Sequence, residues 1–268
     1  MEYDPIKHSL GRIFNRNPLL RIFFYRLLDL LLLRAWHIHK ALKEWNTPGK
    51  KHAQILDAGS GYGQYTYFLH RHNPGWNILA LDVKEEQIGD CNNFFRKINA
   101  QNVLFKTYDL TIFKCEPTFD LALSVDVMEH IENDLLVFKN ICASLKKGGM
   151  LLISTPSDRG GSDASDHSST SFIGEHVRNG YNISEIQEKL LLAGFSKAEA
   201  TYSYGTPGKI SWKLSMKYPI LLLSYSRLFF VLLPFYYVIT YPFSFILNFI
   251  DVQTKHRTGT GLIVKAWK

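Results

Sequence analysis

The sequence predicts an α/β fold: a mostly parallel, seven-stranded sheet with helices on both faces, a helical arm before it and an apolar helical insertion ahead of the last strand. Three observations predict it. From Lys51 onward short apolar runs alternate with helical patterns, the texture of βαβ units. A glycine-rich turn follows the first of those runs directly. Late in the chain, the 33 residues from Tyr218 to Ile250 carry a single charge, Arg227.

A chain of 268 residues, 46% hydrophobic and 21% charged, holds one full α/β domain plus an embellishment. The reading is an arm over residues 1–50 and a domain over 51–268, with the insertion at 206–252. Cys91, Cys115 and Cys142 are widely spaced with no C-x-x-C pairing, which points away from a disulfide framework or a zinc site and toward a reducing, cytoplasmic compartment. Of the net charge of +7, residues 1–52 contribute +6, ten Lys/Arg against four Asp/Glu. That basicity reads either as a solvated helix face or as attraction to an anionic surface, nucleic acid or acidic lipid. The first apolar run starts near Leu19 and is broken by Arg21, Arg26, Asp29 and Arg34, so no cleavable signal peptide is expected.

In chain order, Pro18 to about Trp45 reads as one or two helices, ended by Asn-Thr-Pro-Gly at 46–49. Strands are expected at Gln54–Ala58, Ile78–Asp82, Val103–Lys106, Leu121–Val125 and Met150–Thr155, with helices at Gln64–His72, Lys84–Asn99 and Leu135–Lys146. The Gly/Ser-rich segment 157–176 reads as a surface loop at a strand's C-terminal end, where such folds place ligands. A helix from Ser184 as N-cap to Ala193, stopped by Gly194, precedes strands at Lys197–Tyr204 and Gly261–Trp267.

The turn Asp57-Ala58-Gly59-Ser60-Gly61-Tyr62-Gly63 sets an acid at a strand end before three glycines spaced every second residue. A dinucleotide fingerprint requires its third glycine one position later, where Gln64 stands, and a P-loop requires the absent Gly-Lys-Ser/Thr. Asp57 can instead favour a cationic ligand or order the loop that holds it. Asp82, nineteen residues past Gly63, ends the next strand where a carboxylate accepts from ribose hydroxyls, and Asp109 follows the third strand, placed to accept from an adenine amino group.

This turn resembles motif I of the class I methyltransferases that use S-adenosylmethionine (SAM). Leu81-Asp82-Val83 resembles that family's ribose-binding turn, residues 119–130 (FDLALSVDVMEH) its motif IV, and residues 145–156 (LKKGGMLLISTP) its Gly-Gly turn and fifth strand. The resemblance runs from about residue 52 to 204 and resumes at 258. It implies a Rossmann-like fold, SAM as cofactor with S-adenosylhomocysteine as product, and a cofactor site at Asp57, Ala58, Gly59, Ser60, Gly61, Gly63, Asp82, Val83, Asp109, Leu110, Ser124 and Val125.

Methyl transfer from a sulfonium asks for alignment, desolvation and, for a weak nucleophile, proton removal, with no metal required. His130, His176 and Tyr181 are the candidate groups at the acceptor, against the plainer readings that His130 caps a helix and His176 pins a lid. Motif IV reads Ser-Val-Asp-Val and lacks the tetrad that resembles amino-directed nucleic-acid enzymes, so a small molecule with an oxygen or carbon acceptor is expected and nucleic acid is not.

The apolar insertion contains Pro219, Pro234 and Pro242. Split at Pro234, each half would reach about 24 Å as a helix, short of a ~30 Å bilayer core, and a single span would strand the last strand on the wrong side. A shallow hairpin or interfacial layer at the inner membrane face is therefore expected, giving peripheral or monotopic contact and a lipophilic acceptor. Two alternatives stay open: a soluble enzyme whose insertion is a lid or dimer interface, and a non-catalytic SAM-binding partner protein.

Overall fold

The computed structural model describes residues 17–46, 49, 51–160, 177–226 and 229–268. Seven strands form one sheet: β1 (Gln54–Ala58), β2 (Asn77–Asp82), β3 (Val103–Thr107), β4 (Phe119–Val125), β5 (Leu145–Pro156), β6 (Lys197–Ser203) and β7 (Gly261–Trp267), in the order β3-β2-β1-β4-β5-β7-β6. The first five run parallel, with Ile55 opposite both Ile78 and Leu121. The last strand inserts antiparallel between β5 and β6. Order reverses at β1 and β4, and such a switch point opens a crevice at the strands' carboxyl ends.

The helices are α1 (Pro18–Leu31), α2 (Leu33–Trp45), α3 (Gln64–His72), α4 (Glu85–Lys97), α5 (Asp134–Ser144), α6 (Ile183–Leu192), α7 (Thr206–Trp212), α8 (Tyr218–Tyr225) and α9 (Phe229–Gln253), with a π-helical turn at Lys213–Lys217 between α7 and α8. Alternation along the strands divides the core. Leu56, Ala122, Leu151 and Val264 pack with α5 and α6 on one face, and Ile55, Leu121, Leu152 and Ile263 with α2 and α3 on the other. Because both faces are covered, the central strands are buried at nearly every position.

Several boundaries differ from expectation. Of the one or two helices expected in the arm, two form, because Leu32 is extended between them. Helix α5 ends at Ser144 and not Lys146, since β5 begins at Leu145, five residues before the expected Met150, and carries the turn at Gly148, φ +76°. Helix α6 is capped by Asn182, not Ser184: the Asn182 side chain accepts from the Ser184 amide at 2.9 Å.

The larger correction concerns the insertion. The division falls near Ser226, whose backbone is extended, and α9 then runs unbroken through Pro234 and Pro242 for 25 residues, about 37 Å. Each proline removes one helical donor, yet both lie on exposed positions, and Tyr236 and Tyr237 brace the helix by donating to the carbonyls of Leu214 and Ser215 at 2.7 and 2.8 Å. The helix is inverted relative to an ordinary soluble one. Ser244, Asn248 and Asp251, at i, i+4 and i+7, are its buried residues, while Val231, Phe235, Val238, Ile239 and Phe243 are each more than 60% exposed. By length and composition alone, α9 is long and apolar enough to cross a membrane.

Candidate active site

Three left-handed glycines make the turn after β1: Gly59, Gly61 and Gly63 have φ of +89°, +50° and +77°. A Cβ on Gly59 would lie 2.2 Å from Val127, so the loop packs directly on the chain leaving β4. At Gly61 the same direction is open space. The amides of Gly59 and Ser60 both donate to the Leu81 carbonyl at 2.9 Å, and that of Gly61 to Asp82 Oδ2 at 2.8 Å. The other oxygen of Asp82 accepts from the Lys84 amide at 3.0 Å. Asp82 thereby joins the glycine loop to the start of α4.

Asp57 is buried and accepts from the Thr66 hydroxyl on α3. Burial pushes its carboxyl up to about 7, against the opposing Thr66 hydrogen bond. At the end of β3, Tyr108 donates its amide to the Asp82 carbonyl, which brings Asp109 to the same edge. Asp109 Oδ1 accepts from the amide and hydroxyl of Thr111, and Asn140 holds the Leu110 carbonyl at 2.9 Å. Val83 is exposed beside Asp82, and Ser124 and Val125 close β4. The hydroxyls of Ser60 and Ser124 are buried and unpaired among the described residues, an arrangement that favours a polar ligand.

Three residues of α1, given no role in a site by the sequence reading, hold this loop from outside. Arg21 on α1 donates to the Tyr62 carbonyl at 2.9 Å and to the Tyr25 hydroxyl at 2.6 Å, and Tyr25 donates to the same carbonyl. Asp29 accepts from Gln64 at 2.8 Å. Read as charges interrupting an apolar run, Arg21 and Asp29 carried no signal of a distant partner.

Past the end of β4, Arg34 of α2 forms an ion pair with Asp126, a non-glycine residue at φ +52°, and its amide donates to the Tyr204 hydroxyl at 3.0 Å. Behind them Glu129 is buried and accepts from Thr155 at 3.1 Å. Its own burial, with the Asp126 charge nearby, pushes it up to about 8. His130 is exposed on the short 3₁₀ turn Met128–His130. Tyr181 is fully buried behind that turn, donating to the Met128 carbonyl at 3.1 Å and to Asp134 at 2.7 Å. Its place is that of a brace, not of a group open to an acceptor. His176 lies outside the described residues. By sequence Glu129 reads only as part of motif IV and Arg34 only as a charge breaking an apolar run, although an acid soon after the fourth strand is a legible signal.

A family model described as a methyltransferase domain matches residues 49–199, more than half of the chain. The chain belongs to this methyltransferase family. The methyltransferase is 27% identical over 153 residues to a malonyl-[acyl-carrier protein] O-methyltransferase of a Paenibacillus species, covering 56% of this chain and 55% of that protein. It is 26% identical over 118 residues to a ubiquinone biosynthesis O-methyltransferase of Rickettsia felis, 44% and 46% of the two chains. The chain thus spans about half the length of these curated relatives. Among solved structures it resembles a Haemonchus contortus phosphoethanolamine N-methyltransferase 2 in complex with SAM, with a TM-score of 0.62 at 20% identity over 87% of this chain and 52% of that one. A sarcosine dimethylglycine methyltransferase fold from Galdieria sulphuraria gives 0.57 at 19%, over 86% and 82%. The Rossmann-like class I methyltransferase fold expected from the sequence is the fold observed, and SAM is the cofactor of the family.

Proposed function

We propose that this methyltransferase moves the methyl group of SAM to an oxygen or carbon of a small lipophilic acceptor at the inner face of a membrane. The observation that carries the cofactor half is the open cradle at Gly61, rimmed by Asp82 and by unpaired buried hydroxyls. These residues fit SAM: the loop of Gly59, Ser60, Gly61 and Gly63 would receive its amino-acid end, Asp82 and Val83 the ribose, and Asp109 and Leu110 the adenine, with Asp57, Ala58, Ser124 and Val125 lining the floor. Bound there, SAM supplies an electrophilic methyl group on a sulfur that leaves neutral.

The chain's own contribution is placement and proton handling. The loop packed on Val127 sets the donor beside the end of β4, and Asp126, Glu129 and His130 follow directly from it. An acceptor hydroxyl there meets the Asp126 carboxylate and the His130 imidazole, groups able to take its proton as the oxygen attacks, with Arg34 fixing Asp126 and Tyr181 fixing the turn. The membrane half rests on α9, whose polar face is turned inward and whose apolar face is turned out, and on the basic arm.

Calorimetric titration with SAM and S-adenosylhomocysteine, alongside co-sedimentation with vesicles containing phosphatidylglycerol, tests both halves. Saturable binding and pelleting are expected. Absence of SAM binding in the folded protein overturns the catalytic reading, and absence of pelleting overturns the membrane reading alone.

A further inference from the structure

Helix α1 has two faces with two different partners. Its inner face is the clamp on the glycine loop, with Arg21 3% exposed, Tyr25 fully buried, and the Arg21 guanidinium 4.9 Å from the Phe94 ring. That guanidinium also donates to the Asp90 carbonyl at 3.1 Å and to the Cys91 sulfur at 3.0 Å, so one side chain ties α1 to both the loop and α4. Its outer face sets Leu19, Leu20, Phe23 and Leu30 in water, Leu19 73% and Phe23 56% exposed.

The outer face is continuous with the inverted helix. The Leu30 carbonyl accepts from Trp36 Nε1 at 3.1 Å and from the Tyr241 hydroxyl of α9 at 3.4 Å, and Trp36 packs edge-on against Phe245 of α9 at 5.0 Å. One apolar surface therefore joins α1 to α9, and residues 5–28, which run into and along α1, carry Lys7, Arg12, Arg16, Arg21 and Arg26 with no acidic residue, which complements anionic headgroups. A helix of 14 residues is marginal in water, and α1 has no acidic residue in its first turn to oppose its dipole. Its seat depends on what it touches on both sides.

We infer that α1 couples the two partners: docking of its outer face on an anionic lipid surface and binding of SAM in the glycine loop favour the same seated helix, so each tightens the other. The inference rests on the membrane reading above and adds regulation of the cofactor site by the surface. Linkage makes the effect reciprocal. A loop with three left-handed glycines is costly to order, and α1 supplies the order by bonding Tyr62 twice.

The experiment titrates the full chain with SAM in buffer, with phosphatidylcholine vesicles, and with vesicles that also contain phosphatidylglycerol. SAM affinity is expected to rise at least about fivefold with the anionic vesicles. The double variant Leu19→Ser, Phe23→Ser keeps the affinity seen in buffer, still pellets through α9 and loses the enhancement. Arg21→Ala, with Tyr25→Phe as the milder variant and thermal melts to establish folding, weakens SAM binding with and without vesicles. Wild-type protein that pellets with unchanged SAM affinity overturns the coupling while the membrane reading stands, and enhancement that survives the double variant overturns the role of α1. Failure to pellet overturns the membrane reading and the coupling with it.

Discussion

The amide of Gly61 donates to Oδ2 of Asp82 at 2.8 Å, so the carboxylate assigned to the ribose also shapes the loop that cradles the rest of the ligand. Removing it acts twice. Asp82→Ala is expected to weaken SAM and S-adenosylhomocysteine together by about 2–4 kcal/mol, since a charged acceptor and a loop anchor are lost at once. Calorimetry on both ligands checks this, and a loss confined to one of them would contradict it.

Two glycines of the same loop are expected to answer alanine differently. At Gly59 a Cβ meets Val127 at 2.2 Å in a left-handed backbone, and Gly59→Ala should lower stability by about 2–4 kcal/mol and impair SAM binding. At Gly61 the space is open, so Gly61→Ala should cost only about 1 kcal/mol of fold stability and register mainly as lost SAM affinity. Denaturant melts with and without ligand separate the two.

Asp57 carries a pH signature. Its carboxyl rises from the ordinary 3.8 to about 7 in the fold, so the folded chain keeps a proton that the unfolded chain releases between those values. Stability of the ligand-free protein contributed by this group is therefore full below about pH 4, falls as pH rises to about 7, and then levels. Asp57→Asn should relieve that loss, raising stability at pH 8 by on the order of 2–4 kcal/mol. A sulfonium cation favours the ionised form, so SAM should bind more weakly as pH falls below about 7, with proton release on binding, while neutral S-adenosylhomocysteine changes less. Titrations of both ligands between about pH 6 and pH 8 read the difference.

One carboxylate anchors the C-terminal end of the inverted helix. Asp251 is fully buried and accepts from His37 at 2.9 Å, from the Gly208 amide at 2.9 Å and from the Tyr204 amide at 3.2 Å, with His256 3.1 Å away. Asp251→Ala leaves two amides unpaired at the seam of α2, α7 and α9, and a destabilisation of about 3–5 kcal/mol is expected, with faster proteolysis in 206–253. A melt indistinguishable from wild type would show that α9 is seated by its apolar contacts instead.

What the sequence determined by itself is the sheet and the cofactor turn. Both are written in short-range patterns: β1 and β7 could be bounded to the residue because a short apolar run and its flanking turn residues are local properties, and the glycine spacing at 59, 61 and 63 needs only the backbone's demand for positive φ. Tertiary structure decided what depends on partners distant in the chain. Arg21 finds Tyr62, Arg34 finds Asp126 and Asp251 finds His37 across 41, 92 and 214 residues, and no local period encodes such meetings. It also decided the course of α9. Pro234 argued locally for a break, but it and Pro242 each remove only one hydrogen bond, whereas Asp251, bonded to His37 and Gly208, and the Ser244 carbonyl, bonded to Ser211, seat the helix against α2 and α7 and turn its apolar side outward.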